Sequence, residues 1–171
     1  MRRLVAREDE VLLLELLNST PVVDGVQRDQ LATDGEAREW ALARGGSGAP
    51  AEITRLRDVR DRLQAVVRGA EPAAALAPLL DGLHLVPGIA GDGLAWTLDV
   101  AADARLPARA LLAWGHLQET MPGRLRPCAN DECRLFLLDR SKPGSARWCS
   151  MKACGNRLKA RRHYERTHRA G

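Results

Sequence analysis

Aromatic side chains are scarce in this chain. They make up 4% of 171 residues, one Phe, one Tyr and four Trp, so any core must be built chiefly from Leu, Val and Ala. No apolar run approaches the roughly 18 residues that cross a bilayer. Met1 to Asp9 carries basic side chains with no long apolar segment behind them, which reads against a secretory signal. The sequence therefore predicts a cytoplasmic protein, nucleoid-associated if it binds DNA. Lysine is nearly absent, 3 residues against 23 Arg. That bias fits a GC-rich genome, so the position of the charge informs more than the residue that carries it. A Gly-rich phosphate loop, a nucleophile elbow and a His/carboxylate metal motif are all missing. The expectation is a protein that is not an enzyme. Cysteine is absent from the first 127 positions.

Apolar residues at 45% and charged residues at 28% describe a globular chain rather than a disordered one. The net charge of +4 hides an asymmetry. Residues 1–121 hold 13 Lys and Arg against 18 Asp and Glu, a net of −5, whereas residues 122–171 hold 13 against 4, a net of +9. An acidic body with a basic tail suits a nucleic-acid binder. The charge changes sign at Met121-Pro122-Gly123, which sets the expected division: a helical domain over 1–121 with a β-hairpin near 83–100, and a zinc finger with a basic C-terminal helix over 122–171.

The body reads as helices. Glu8, Asp9 and Glu10 precede the apolar run Val11 to Leu17 and suit a helix N-terminus. Thr33-Asp34-Gly35-Glu36 fits a capping box, predicting a helix through Trp40 and Leu42 that ends near Gly45. Ile53, Leu56, Leu63 and Val66 fall on one helical face, with Val59 beside them. Pro72 suits a first helical position, with a short helix to Asp81 that Pro78 distorts. Leu94, Trp96 and Leu98 alternate across a Gly/Asp turn and predict the hairpin. Helix returns from Pro107 to Glu119. The fold class expected is mainly α with a small β-hairpin and a treble-clef-like zinc finger built on four cysteines. Trp40, Trp96, Trp114 and Trp148 read as core or partly buried anchors, the last against the finger. His84 and His116 read as structural or surface residues. Asp58 and Asp61 read as solvated partners of the neighbouring arginines.

All four cysteines follow as Cys128-x4-Cys133-x15-Cys149-x4-Cys154. Two matched pairs with a long spacer suit four thiolates around one structural Zn2+. Disulfides or a redox dithiol pair are the alternatives. Leu135 to Leu138 reads as a strand, Ser141 to Ser145 as a turn and Ala146 to Trp148 as a returning strand. Residues five apart lie about 140° apart on an α-helix, so Cys149 and Cys154 cannot share a helical face. With Ser150 as N-cap they occupy N′ and N4, which meet. On a helix from Met151 to about His168, Lys152, Lys159 and Arg166 fall within about 40° of one another. Arg162 and His163 flank them. This is a cationic stripe for phosphates, or else a solvated charged face. Arg157 bonds within the finger or touches a phosphate.

The stretch "RWCSMKACGNRLKARRHYER" resembles the CGNR zinc-finger family, whose signature stands here as Cys154-Gly155-Asn156-Arg157, with Asp139-Arg140-Ser141 also in the pattern. That family pairs the finger with an N-terminal helical domain called ABATE, associated with stress-induced transcription regulation. The order of "LLNST", the helix ending Trp40-Ala41-Leu42, the hairpin and the helix before Cys128 is similar, with Ser19 inserted between the usual Asn and Thr. The resemblance implies zinc on Cys128, Cys133, Cys149 and Cys154, and a finger that binds DNA. The expected function is a bacterial-type DNA-binding transcription regulator with double-stranded DNA as partner. A homodimer through the N-terminal domain and a small-molecule effector are further expectations. RNA binding, or protein interaction with a purely structural finger, are the alternative functions.

Overall fold

The computed structural model describes residues 5–156. The order of elements is α1 (Arg7–Leu17), β1 (Val22–Val23), β2 (Val26–Gln27), α2 (Asp34–Leu42), α3 (Pro50–Val67) and a 3₁₀ helix (Ala73–Leu80). Then come β3 (His84–Ala90), β4 (Gly93–Asp99), α4 (Ala102–Thr120), β5 (Leu125–Pro127), β6 (Phe136–Leu138) and a π-helical turn (Met151–Gly155). The class is mainly α, with three antiparallel two-stranded pairs among the described residues.

Helix starts follow the sequence signals. Thr33 accepts the Glu36 N–H, and the Glu36 carboxylate reaches back to the Thr33 N–H, so two unpaired N-terminal donors are satisfied at once. Asp9 caps α1 by accepting the Ala6 N–H at 2.8 Å. Along α3, Ile53, Leu56, Val59 and Leu63 are buried. They meet α1 and α4 in one cluster that also holds Leu13, Leu16, Leu31, Trp40 and Leu117. Leu125 and Phe136 belong to the same cluster, so β5 and β6 sit on the helices rather than beside them.

Four local expectations are corrected. The segment after Pro72 is a 3₁₀ helix rather than an α-helix, because Pro78 supplies no N–H and its ring crowds the preceding turn. α4 starts at Ala102 and runs through Pro107, so that proline lies inside the helix rather than at its start. β6 does not pair with residues 146–148. It pairs with β5 across the Cys128–Cys133 loop; the later segment bonds back through Arg147, which accepts the Ala129 N–H at 2.8 Å, and through Ala146, which donates its N–H to the Asp139 carboxylate. The pair β1–β2 was not expected, although its signal is present: Asp24 and Gly25 both have positive φ, 53° and 78°, the demand of a two-residue hairpin turn that Asp-Gly meets.

Candidate metal centre

The four cysteines converge from three local devices. Cys128 and Cys133 sit on the loop between β5 and β6, closed by the Cys133 N–H donating to the Asn130 carbonyl at 2.8 Å. Asp139 brings the chain back. Its carboxylate is buried and accepts the Ser141 N–H and hydroxyl at 2.9 and 2.6 Å and the Ala146 N–H at 2.9 Å. Arg126 pairs with it and also donates to the Gly144 carbonyl at 2.7 Å. The third device is the π turn. The Ser150 carbonyl accepts the N–H groups of both Cys154 and Gly155 at 3.0 Å. The second of these is an i→i+5 bond, which widens the turn and carries Cys154 round towards Cys149. This is how two residues separated by about 140° on a regular α-helix come to face one centre. Gly155 leaves room beside this turn: a Cβ there would stand 3.2 Å from the Trp148 ring and 2.7 Å from the Met151 sulfur.

The donor set fits a tetrahedral ion. Zn–S bonds of about 2.3 Å imply tetrahedron edges of about 3.8 Å. The Cys149 sulfur lies 3.7 Å from those of Cys133 and Cys154, and all four lie within 4.8 Å of one another. A disulfide requires about 2.05 Å, and all four thiols are free. Two N–H groups support the sulfurs. The Cys149 N–H donates to the Cys128 sulfur at 3.4 Å, and the Asn130 amide donates to the Cys154 sulfur at 3.5 Å. Burial pushes the Cys133 thiol up to about 11 and the Cys149 thiol higher still. At Cys154 burial also pulls upward, but hydrogen bonds led by Asn130 outweigh it and lower the pKa. Zinc binding therefore displaces protons. With four sulfurs bound, the ion keeps no open position and is structural.

Asp139 is legible in the sequence only as part of a short motif; its structural task is visible in the contacts. Its pKa is lowered to about 2, first by the Ser141 hydroxyl. A depressed carboxylate stabilises the fold fully above its unfolded pKa and loses that effect as pH falls towards the folded value. Asp139→Asn should therefore lower the melting temperature of the zinc-loaded protein by several degrees. The deficit should be equal at pH 6 and pH 8, since both lie far above the titration. Thermal melts at the two pH values check this, and a deficit that vanishes at either would contradict it.

Asn18 fastens the centre to the helices, while Ser19 and Thr20 bond within the helical body. Phe136 donates its N–H to the Asn18 side-chain oxygen at 2.7 Å, and the Asn18 amide donates to the Phe136 carbonyl at 3.2 Å. Thr20 accepts from Gln64 at 3.0 Å. Ser19 is fully buried against Arg60, which also bonds Asp29 at 2.5 Å and Asp61 at 2.8 Å. Arg68 donates to the Arg134 carbonyl at 2.6 Å and stacks over the Phe136 ring. Arg140 pairs with Glu10. Asp61 is the solvated partner of a neighbouring arginine that the sequence predicts, its side chain 63% exposed, but that arginine, Arg60, is itself buried.

Lys152 lies on the π turn and is exposed. Arg157, Lys159, Arg162, His163 and Arg166, the rest of the expected cationic stripe, lie outside the described residues.

Two family models match this sequence. The CGNR zinc finger matches residues 124–167. The ABATE model, described as "putative stress-induced transcription regulator", matches residues 10–135. No curated protein matches the chain.

Proposed function

We propose that this chain, which belongs to the ABATE family and carries a CGNR zinc finger, is a non-catalytic transcription regulator that holds duplex DNA with its finger. The observation that carries the reading is a zinc-compatible cluster on the basic part of an otherwise acidic chain. Around it Arg134, Lys142, Arg147 and Lys152 are exposed, and none has an ion-pair partner among the described residues. An ordinary solvated surface interleaves acids with its bases. Here the region from 122 onward carries 13 bases and 4 acids.

The chemistry is electrostatic and positional. Zinc, when bound, ties residues 128–133 to residues 149–154. Asp139 shapes the connection between them. The following basic segment then starts from a fixed point, with Lys152 at its root. Each phosphate neutralised releases counterions, so affinity falls steeply with salt, with a slope of about 0.9 per contact. The body of helices would sense a small effector.

The test replaces Lys159 or Arg162 with Ala in the zinc-loaded protein. Each change should weaken binding to all duplex sequences alike and reduce the salt slope by about 1, with zinc content intact. Unchanged affinity in both variants sinks this assignment. Structured RNA that outcompetes duplex DNA at matched salt would move the function to RNA. No nucleic-acid binding at physiological salt, with a protein partner retained, would leave the finger as a structural clasp.

A further inference from the structure

A cavity of about 720 Å³ is lined by residues of α4, the 3₁₀ helix and the β3–β4 hairpin and by none of the cysteine-bearing segment. The 3₁₀ helix forms one wall through Leu76, the β3–β4 hairpin a second through Leu85 and Trp96, and α4 the floor. Ligand cavities run from roughly 300 to 1,000 Å³ and combine apolar walls with a few polar groups. This one has Trp96 and Trp114 among aliphatic side chains and two polar residues, His116 and Glu119, on one stretch of α4. Glu119 is exposed and has no ion-pair partner among the described residues.

Gly115 is the second observation. It lies inside α4, where glycine costs about 1 kcal/mol relative to alanine. Nothing stands within 4 Å of the Cβ it lacks, so no close packing accounts for the glycine. It lies on the cavity floor. The helix thus forgoes stability at a floor position where an added side chain would meet open space.

We infer that this cavity binds a lipophilic cation of drug-like size, an aromatic body lying between Trp96 and Trp114 with a basic group directed to Glu119. A carboxylate with no ion-pair partner among the described residues, at the edge of an apolar, tryptophan-bearing cavity, selects positive charge, and the indole faces attract it further. An anionic ligand would face that carboxylate unpaired. The cavity opens among α4, the 3₁₀ helix and the hairpin, so its occupancy is separable from nucleic-acid binding by the finger.

The experiment titrates the full-length zinc-loaded protein with a cationic styrylpyridinium dye, and in parallel with the neutral dye N-phenyl-1-naphthylamine. Dye emission, tryptophan quenching and the melting temperature are recorded. The cation should bind at one saturable site. Glu119→Gln should weaken the cation about tenfold and leave the neutral dye unchanged. Gly115→Leu should weaken both at least tenfold, with a melting temperature equal to or above that of the parent. Absence of saturable binding overturns the inference, as does binding that ignores Gly115→Leu. Equal effects of Glu119→Gln on both dyes overturn the assignment of a cation. A chain that runs as a dimer by light scattering and excludes both dyes shows the cavity covered by a second copy, and overturns it too.

Discussion

Stripping zinc from the purified protein will unfold the cysteine-bearing segment and lower the melting temperature of the whole chain. The size of the effect follows from the small amount of apolar packing around the sulfurs. Residues 139–156 contribute no member to the main buried cluster; their order rests on Asp139, the π turn and the metal. Structural zinc supplies about 10–16 kcal/mol of apparent binding free energy near neutral pH, as much as the entire stability of many domains, about 5–15 kcal/mol. The loss spreads because β5 and β6 carry both the first two cysteines' loop and the buried residues Leu125 and Phe136. Hydrogen exchange before and after a strong chelator should show protection lost first at 128–133 and 146–156, then weakened in α1. Cys154→Ser should reproduce this without chelator. Unaltered exchange and melting after zinc is shown to be gone would defeat the assignment of a structural ion.

Phe136→Ala is the second large effect. The ring is 1% exposed and is the largest fully buried side chain of the described residues. Removing such a ring costs about 3–5 kcal/mol through lost transfer energy and the cavity left behind. The loss removes the platform for Arg68, whose guanidinium lies 4.3 Å from the ring centre. Asn18→Ala attacks the same junction from the other side. It strands the N–H and carbonyl of Phe136, which cost about 1–3 kcal/mol when left unpaired and buried. Urea unfolding of the zinc-loaded protein should rank the variants with Phe136→Ala well below Asn18→Ala, and both below the parent. A loss under about 1 kcal/mol for Phe136→Ala would mean that β6 is not seated in the helical core.

Several features were legible because their physics is local. The capping box at Thr33 and Glu36, the apolar face of α3 and the alternation around Trp96 each involve residues within a few positions of one another. The cysteine window was legible for a related reason: four thiols in 27 residues limit the chemistry to very little else. The pairing of Cys149 with Cys154 was half legible. An N-terminal helical arrangement with Ser150 at the cap brings them together, but the i→i+5 bond that widens the turn was not readable, because π turns carry no compositional mark. The strand pairing differs from the expectation. Two apolar segments flanking a turn suggest a hairpin after the first cysteine pair, whereas β5 claims β6 across the pair itself.

By itself the sequence determined a mainly helical body, a zinc-competent set of four cysteines and the separation of acidic and basic charge. Tertiary structure alone decided that Asn18 grips Phe136 across 118 positions, that Arg60 is buried among Ser19, Asp29 and Asp61, and that Trp96, Trp114 and Glu119 share one cavity. The reason is common to all three. Periodicity and capping act over one or two turns of chain and leave a trace in spacing. Contacts between distant segments depend on how whole elements pack, and no pattern in the intervening residues records which partner a side chain will meet.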